Sequence, residues 1–244
     1  MKDDPDPSWM PTWSRGGFAL GVKLALPILP GMIAFALACG ATGARKGFTF
    51  ADNLLMNGLV YAGASQMIAM EIWPNRLTVA SIAALALITA TINARMLLMG
   101  ASLQPWLAPL PSWQVYPALH LTTDPGWLIA MRYRAEGGND AGVFLGGGVI
   151  IFAMWLAATS AGYLLGSLIS DPRAVGLDLV MPIFFAAMLI PLWQNAPRRA
   201  KRAVGWIVAG VVALAFERLF HGWWFIIAGA VAGAIAEGFA EDAA

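Results

Sequence analysis

The strongest constraint on this chain is its series of long stretches free of Asp, Glu, Lys and Arg. Ala141 to Ser170 is the longest, and Leu24 to Ala44, Asn53 to Met70 and Leu77 to Ala94 precede it. Leu179 to Pro197, Ala203 to Phe216 and Leu219 to Ala236 follow. A helix needs about 20 mainly apolar residues to cross the hydrocarbon core of a bilayer. Inside that core the backbone must satisfy its own hydrogen bonds, which favours helices. The alternation of apolar and polar residues that a membrane barrel requires is absent. The expected fold class is therefore all-α: a polytopic transmembrane bundle of about seven spans, forming one permease-like domain over 1–244.

Composition agrees with a lipid environment. Of the 244 residues, 59% are hydrophobic and 12% are charged, and mean hydropathy is +0.67. A soluble domain of this length carries about twice that charge density. The net charge is +1, and no basic stripe interleaved with aromatics points to nucleic acid. Cys39 is the one cysteine, so paired-cysteine metal sites and intramolecular disulfides are excluded. The beginning of the chain is acidic and proline-rich, and its first apolar stretch is too long for a cleavable signal.

Ala101 to Leu121 is nearly uncharged yet carries Pro105, Pro109, Pro111 and Pro117. A continuous helix through it is not expected; a re-entrant or interfacial segment is, with an eighth crossing as the alternative. Arg198, Arg199, Lys201 and Arg202 form the densest basic cluster, which places that loop in the cytoplasm. Counting back through seven crossings puts Arg45, Lys46, Arg132 and Arg134 on the same side. Gly47 to Asp52 and Gly176 to Asp178 open apolar segments in a similar way. This suggests an inverted three-helix repeat over 16–100 and 141–219, with a substrate site at its interface.

Polar groups inside apolar spans persist where they line a cavity, pair or carry function. Gly63, Ser65 and Gln66 lie within the second stretch, and Asn93 and Arg95 end the third. A small-residue helix interface is the plain reading of Gly63, and snorkelling that of Arg95. Gln66 and Asn93 cannot snorkel and need partners. Asp124 and Asp178 read either as helix caps or as carboxylates that exchange protons once desolvated. Pro27, Pro30 and Gly31, after Lys23, predict a kinked or broken first span that presents backbone groups to a ligand.

In this order and spacing, Pro27, Pro30-Gly31, Ala62-Gly-Ala-Ser-Gln66, Asn93-Ala-Arg95, Thr123-Asp124, Trp155 with Gly162, and Asp178 with Phe184 resemble the AzlC family. The resemblance covers roughly residues 16 to 195. It implies a bacterial inner-membrane permease subunit exporting branched-chain amino acids, with a small AzlD-like partner of about four spans. Pro125-Gly126 stand where the family tends to have an acid, leaving Asp124 alone there. Substrate contact is expected at Pro30, Gly31, Gly63, Ser65, Gln66, Asn93 and Trp155, and ion coupling at Asp178, Asp124 and Arg95. Proton antiport is the expected energy source, since no nucleotide motif appears. No cofactor or metal is expected. A channel or a structural subunit is the alternative, and an intramembrane serine hydrolase a remote one. Ser65 lacks the second glycine of a nucleophile elbow, so no enzyme is expected.

Overall fold

The computed structural model describes residues 11–74, 76–166, 199–219 and 224–242, with isolated positions 183 and 186. Regular structure among the described residues is helical, apart from one isolated bridge between Thr12 and Asp140. Two compact units are present: residues 1–73 with 92–180, and residues 74–91 with 181–244.

The first unit is built on two long helices. The first comprises α1 (Arg15–Ala25), a 3-10 turn (Leu26–Ile28) and α2 (Leu29–Arg45). These form one continuous apolar helix of 31 residues. Pro27 and Pro30 therefore do not break this span. Each lies in the first turn of the helical segment that follows it, where its missing N–H has no intrahelical acceptor to serve. The second long helix is α8 (Gly142–Gly166), about 37 Å long. With α5 (Val79–Leu107), these are the three helices long and apolar enough to cross a membrane.

Glycines bring α1–α2 and α8 into backbone contact. A Cβ on Gly146 would meet the Phe18 carbonyl oxygen at 2.0 Å, and one on Gly40 the Thr159 oxygen at 1.9 Å. Gly162 lies equally close to Leu37, and Gly166 to Ala41. Both chains advance in the same direction along this seam, so the two helices are parallel. Asp140 secures one end of it, accepting from the Ser14 amide (3.1 Å), the Ser14 hydroxyl and the Gly142 amide (2.8 Å). The leading helices of 16–100 and 141–219 therefore point the same way, whereas an inverted pair would oppose them.

Asn53 to Met70 does not cross. α3 (Phe50–Leu55) continues as a π-helix (Met56–Val60), and Tyr61 then takes the left-handed conformation at φ 46°. The chain reverses there, and α4 (Gly63–Glu71) returns to its starting level. Lys46 Nζ donates to the Glu71 carbonyl at 3.0 Å, and the Phe48 and Trp73 rings lie 5.1 Å apart. At the other extreme, Gly63 packs on Phe35 and Trp155, near the middle of the long helices. This is a re-entrant hairpin. Thr49 starts it with a capping box, and its hydroxyl and amide hold the Asp52 carboxyl below the usual range.

A second hairpin enters from the opposite end. α5 continues through Pro105 to Leu107, so Ala101–Leu107 belongs to that helix. α6 (Ser112–His120) then runs inward and α7 (Asp124–Ala135) runs back. Trp127 Nε1 donates to Ser102 Oγ (2.8 Å), and Tyr133 lies 6.5 Å from Trp106, so α7 runs parallel to the end of α5. The re-entrant expectation holds, moved onto residues 112–135. Leu103, Trp106, Leu107, Ala118, Ala130, Ala141 and Phe144 form the core beneath it. Arg45 and Lys46 thus follow one end of the parallel seam, and Arg132 and Arg134 lie near the other. Their shared side, expected from seven crossings, is corrected.

The second unit contains α9 (Arg199–Leu219) and α10 (Trp224–Asp242), packed antiparallel. Gly229 and Gly233 approach Ala209, and Gly233 also approaches the Gly205 carbonyl. This G-x-x-x-G face is covered by the chain's own helix. Leu179–Pro197 falls almost wholly, and the Gly176–Asp178 opening wholly, outside the described residues.

Replacing Gly40 by Leu drives a side chain into the Thr159 carbonyl. The expected cost is about 3 kcal/mol or more, because backbone cannot move aside as a flexible side chain does. Gly31→Ala is the control, since a Cβ there meets nothing within 4 Å. Thermal unfolding in detergent checks the pair: Gly40→Leu falls sharply and Gly31→Ala stays near wild type.

Candidate functional site

The two hairpin tips meet against the α1–α2 and α8 pair. Gly58 precedes the first tip and His120 the second, and His120 Nε2 lies 3.1 Å from the Gly58 carbonyl oxygen. A carbonyl only accepts, so the Nε2 nitrogen carries the proton in this contact. The Tyr61 and His120 ring centroids are 6.1 Å apart, and both rings pack on Phe152, at 4.8 and 6.1 Å. Trp155 completes the aromatic wall, 6.4 Å from Tyr61 and 5.5 Å from Phe35.

The reversal at Tyr61–Ala62 interrupts the helical ladder, and Gln66 spans the gap. Its Nε2 donates to the Met56 carbonyl (2.8 Å), and its Oε1 accepts from the Ala62 amide (3.1 Å). Ser65 Oγ donates to the Ala62 carbonyl (3.0 Å) and accepts from Asn93 Nδ2 (3.0 Å). One amide side chain thus closes the break, and a second ties it to α5. Gly63 is required by space, since a Cβ there would meet the Trp155 ring at 2.6 Å.

Below the tip, Asn57 donates to the Asn53 carbonyl (2.8 Å) and accepts from Trp155 Nε1 (3.0 Å). Asn53, Asn57, Ser65 and Gln66 are all fully buried. Buried polar groups persist where they are bonded, and these are. In the π-helical turn the Met56 carbonyl accepts from both the Tyr61 amide (3.4 Å) and Gln66 Nε2, and the Gly58 carbonyl accepts from His120.

On the second hairpin, the Thr123 hydroxyl caps α7 by accepting from Gly126 (3.3 Å). Asp124 opens that helix and pairs with Arg95 of α5 at 3.0 Å. A charge at this depth is costly alone, and each neutralises the other. Snorkelling is therefore not what places Arg95.

Four buried polar atoms on the tips and on the α5 face that meets them have no hydrogen-bond partner: Tyr61 OH, Asn93 Oδ1, Arg95 Nε and Thr122 Oγ1. They comprise one acceptor, one cationic donor and two hydroxyls. Such atoms normally find partners, so a cluster of orphans beside a helix break suits a polar ligand. No group of His, Cys, Asp or Glu that could hold a metal ion occurs among the described residues.

Gly63, Ser65, Gln66, Asn93 and Trp155 therefore come together at the first tip, and Arg95 with Asp124 beside the second. Pro30, Gly31 and Lys23 do not join them. They lie on the exposed face of the first helix, because the break expected there occurs at Tyr61 instead. Asp178 lies outside the described residues. Sequence reasoning missed Tyr61, His120, Asn53 and Asn57. The i, i+4 asparagines in an apolar run were a legible signal; the left-handed Tyr61 was not.

These features define an all-α integral membrane protein with opposed re-entrant hairpins. The AzlC protein family model matches residues 27–169, and the chain belongs to the AzlC family. A relative described as an uncharacterized membrane protein, from Archaeoglobus fulgidus, is 27% identical over 223 residues. That similarity covers 91% of this chain and 94% of the relative. No solved structure matches.

Gln66→Leu leaves the part-buried Ala62 amide unbonded and the Met56 carbonyl with the long bond from the Tyr61 amide alone (3.4 Å). The expected local cost is on the order of 2–4 kcal/mol. Hydrogen exchange resolved over residues 56–66 measures it: protection falls there while α8 keeps its wild-type protection.

Proposed function

We propose that this chain is a permease subunit that exports branched-chain amino acids across a bacterial inner membrane. In this reading it works with a small AzlD-like membrane subunit and is driven by proton antiport. The observation that carries the reading is the meeting of two re-entrant hairpins midway along the long helices. A hairpin tip ends its helices inside the membrane, so backbone and amide groups become available to a zwitterion without crossing hydrocarbon. The orphaned Tyr61, Asn93, Arg95 and Thr122 atoms supply both hydrogen-bond polarities. Phe35, Phe152 and Trp155 supply an apolar wall beside them, suited to a branched aliphatic side chain.

The carboxylates assigned to coupling are Asp178 and Asp124. Asp124 supports this role by its ion pair with Arg95, since substrate or proton arriving there must exchange with that pair. The Ser65 hydroxyl is engaged by Ala62 and Asn93, an arrangement that positions a helix and does not activate a nucleophile.

The test is export of preloaded leucine, valine and isoleucine from cells, with and without an AzlD-like chain. Saturable export that shows counterflow is the expected result; flux that never saturates would favour a channel. Asn93→Ala should raise KM about tenfold, equal to 1.4 kcal/mol of lost binding. Asp124→Asn should slow export and flatten its response to external pH. Wild-type behaviour in both Asp124→Asn and Asp178→Asn would remove these residues from coupling.

A further inference from the structure

We propose that His120 couples proton binding to the joining of the two hairpin tips. The inference rests on the reading of the chain as a proton-driven carrier, and it assigns a residue which that reading does not use. Its basis is placement. His120 ends α6 at the innermost point of the second hairpin, and its Nε2–H donates to the carbonyl of Gly58 on the first hairpin at 3.1 Å. That bond joins the two hairpins directly. The hairpins enter from opposite ends of the bundle, so parting this contact separates the elements that divide the two sides.

Imidazole is the side chain whose ordinary titration falls between pH 5 and 8. His120 is exposed even though its ring packs on Tyr61 and Phe152. An ionisable group at this depth is retained where it serves a pathway. The Gly58 carbonyl lies in the π-helical turn, outside the regular ladder, and is available to a donor from elsewhere.

The sign follows from the acceptor. A carbonyl accepts from neutral and protonated imidazole alike, but the charge-assisted bond is roughly twice as strong. Protonation therefore holds the tips together, and release of the proton loosens them. The titratable and charged groups at this level, among the described residues, are Tyr61 from the first hairpin, Asp124 from the second and Arg95 from α5. The long helices contribute the neutral rings of Phe35, Phe152 and Trp155. The Asp124–Arg95 pair ties the second hairpin to α5 at 3.0 Å, whereas the His120–Gly58 bond ties the two hairpins to each other.

The experiment has two arms, both on the full chain in lipid nanodiscs or proteoliposomes with its membrane partner. The first measures hydrogen exchange at residues 56–63 and 118–123 between pH 5.5 and 8, corrected for intrinsic exchange. Wild type should show about tenfold greater protection of both tips at pH 5.5 than at pH 8. His120→Gln retains a donor for Gly58 but cannot titrate, and should show constant protection across that range. His120→Ala should be poorly protected throughout, and protection of α8 reports that each variant is folded. The second arm measures leucine flux against pH, which should be flattened in His120→Gln. Protection in His120→Gln that tracks pH as wild type does overturns the proposal. Tips that respond to pH only when His120 is present, in a chain that moves no leucine, uphold the latch and overturn the transport reading.

Discussion

Everything in the first unit depends on how closely α1–α2 and α8 approach. Gly21, Gly40, Gly146, Gly162 and Gly166 remove the Cβ atoms that would hold the two backbones apart. In a bilayer, helix association has no hydrophobic drive, and such close van der Waals contact is its main source of stability. The result is a rigid parallel pair, pinned at one end by Asp140. Hairpins that do not cross cannot hold their own depth, so this pair supplies the wall on which they rest. Gly148 admits Leu121, and Gly63 admits the Trp155 ring.

The hairpins carry a second constraint. A reversal inside the membrane leaves amides and carbonyls without ladder partners, each costing several kcal/mol in hydrocarbon. The buried amides answer this locally: Gln66 across the break, Asn57 at the π-helix, Asn93 from the neighbouring helix. Four of the buried polar atoms that remain unbonded lie around the two tips, and the indole nitrogens of Trp13 and Trp106, in the core near the outer end of the second hairpin, are two more.

Two elements show why polarity was legible and direction was not. Gln66, Asn93 and Asp124 stood out because a polar side chain in an apolar stretch must find a partner, whatever the topology. Asn53–Met70 read as a crossing because its length and hydropathy suit one, and hydropathy carries no sign for a chain that turns back. The turn depends on φ 46° at Tyr61, a tyrosine, where no glycine or proline marks the place. Conversely Pro27 and Pro30 marked a break that a 3-10 turn absorbed. His120 had no acidic neighbour in sequence, and its partner is a backbone carbonyl that sequence cannot display.

The sequence by itself determined that the chain is helical and lives in a membrane, since apolar surface on this scale has no other solvent. Its ordered motifs also determined the family. Only the tertiary structure decided which apolar segments cross, because that depends on where the returning arm finds a surface. The parallel glycine seam provides that surface for both hairpins and brings Gly58 and His120 within a hydrogen bond across 62 positions of sequence. Local periodicity extends over a few turns of helix, whereas this contact is set by two helices packed along their whole length.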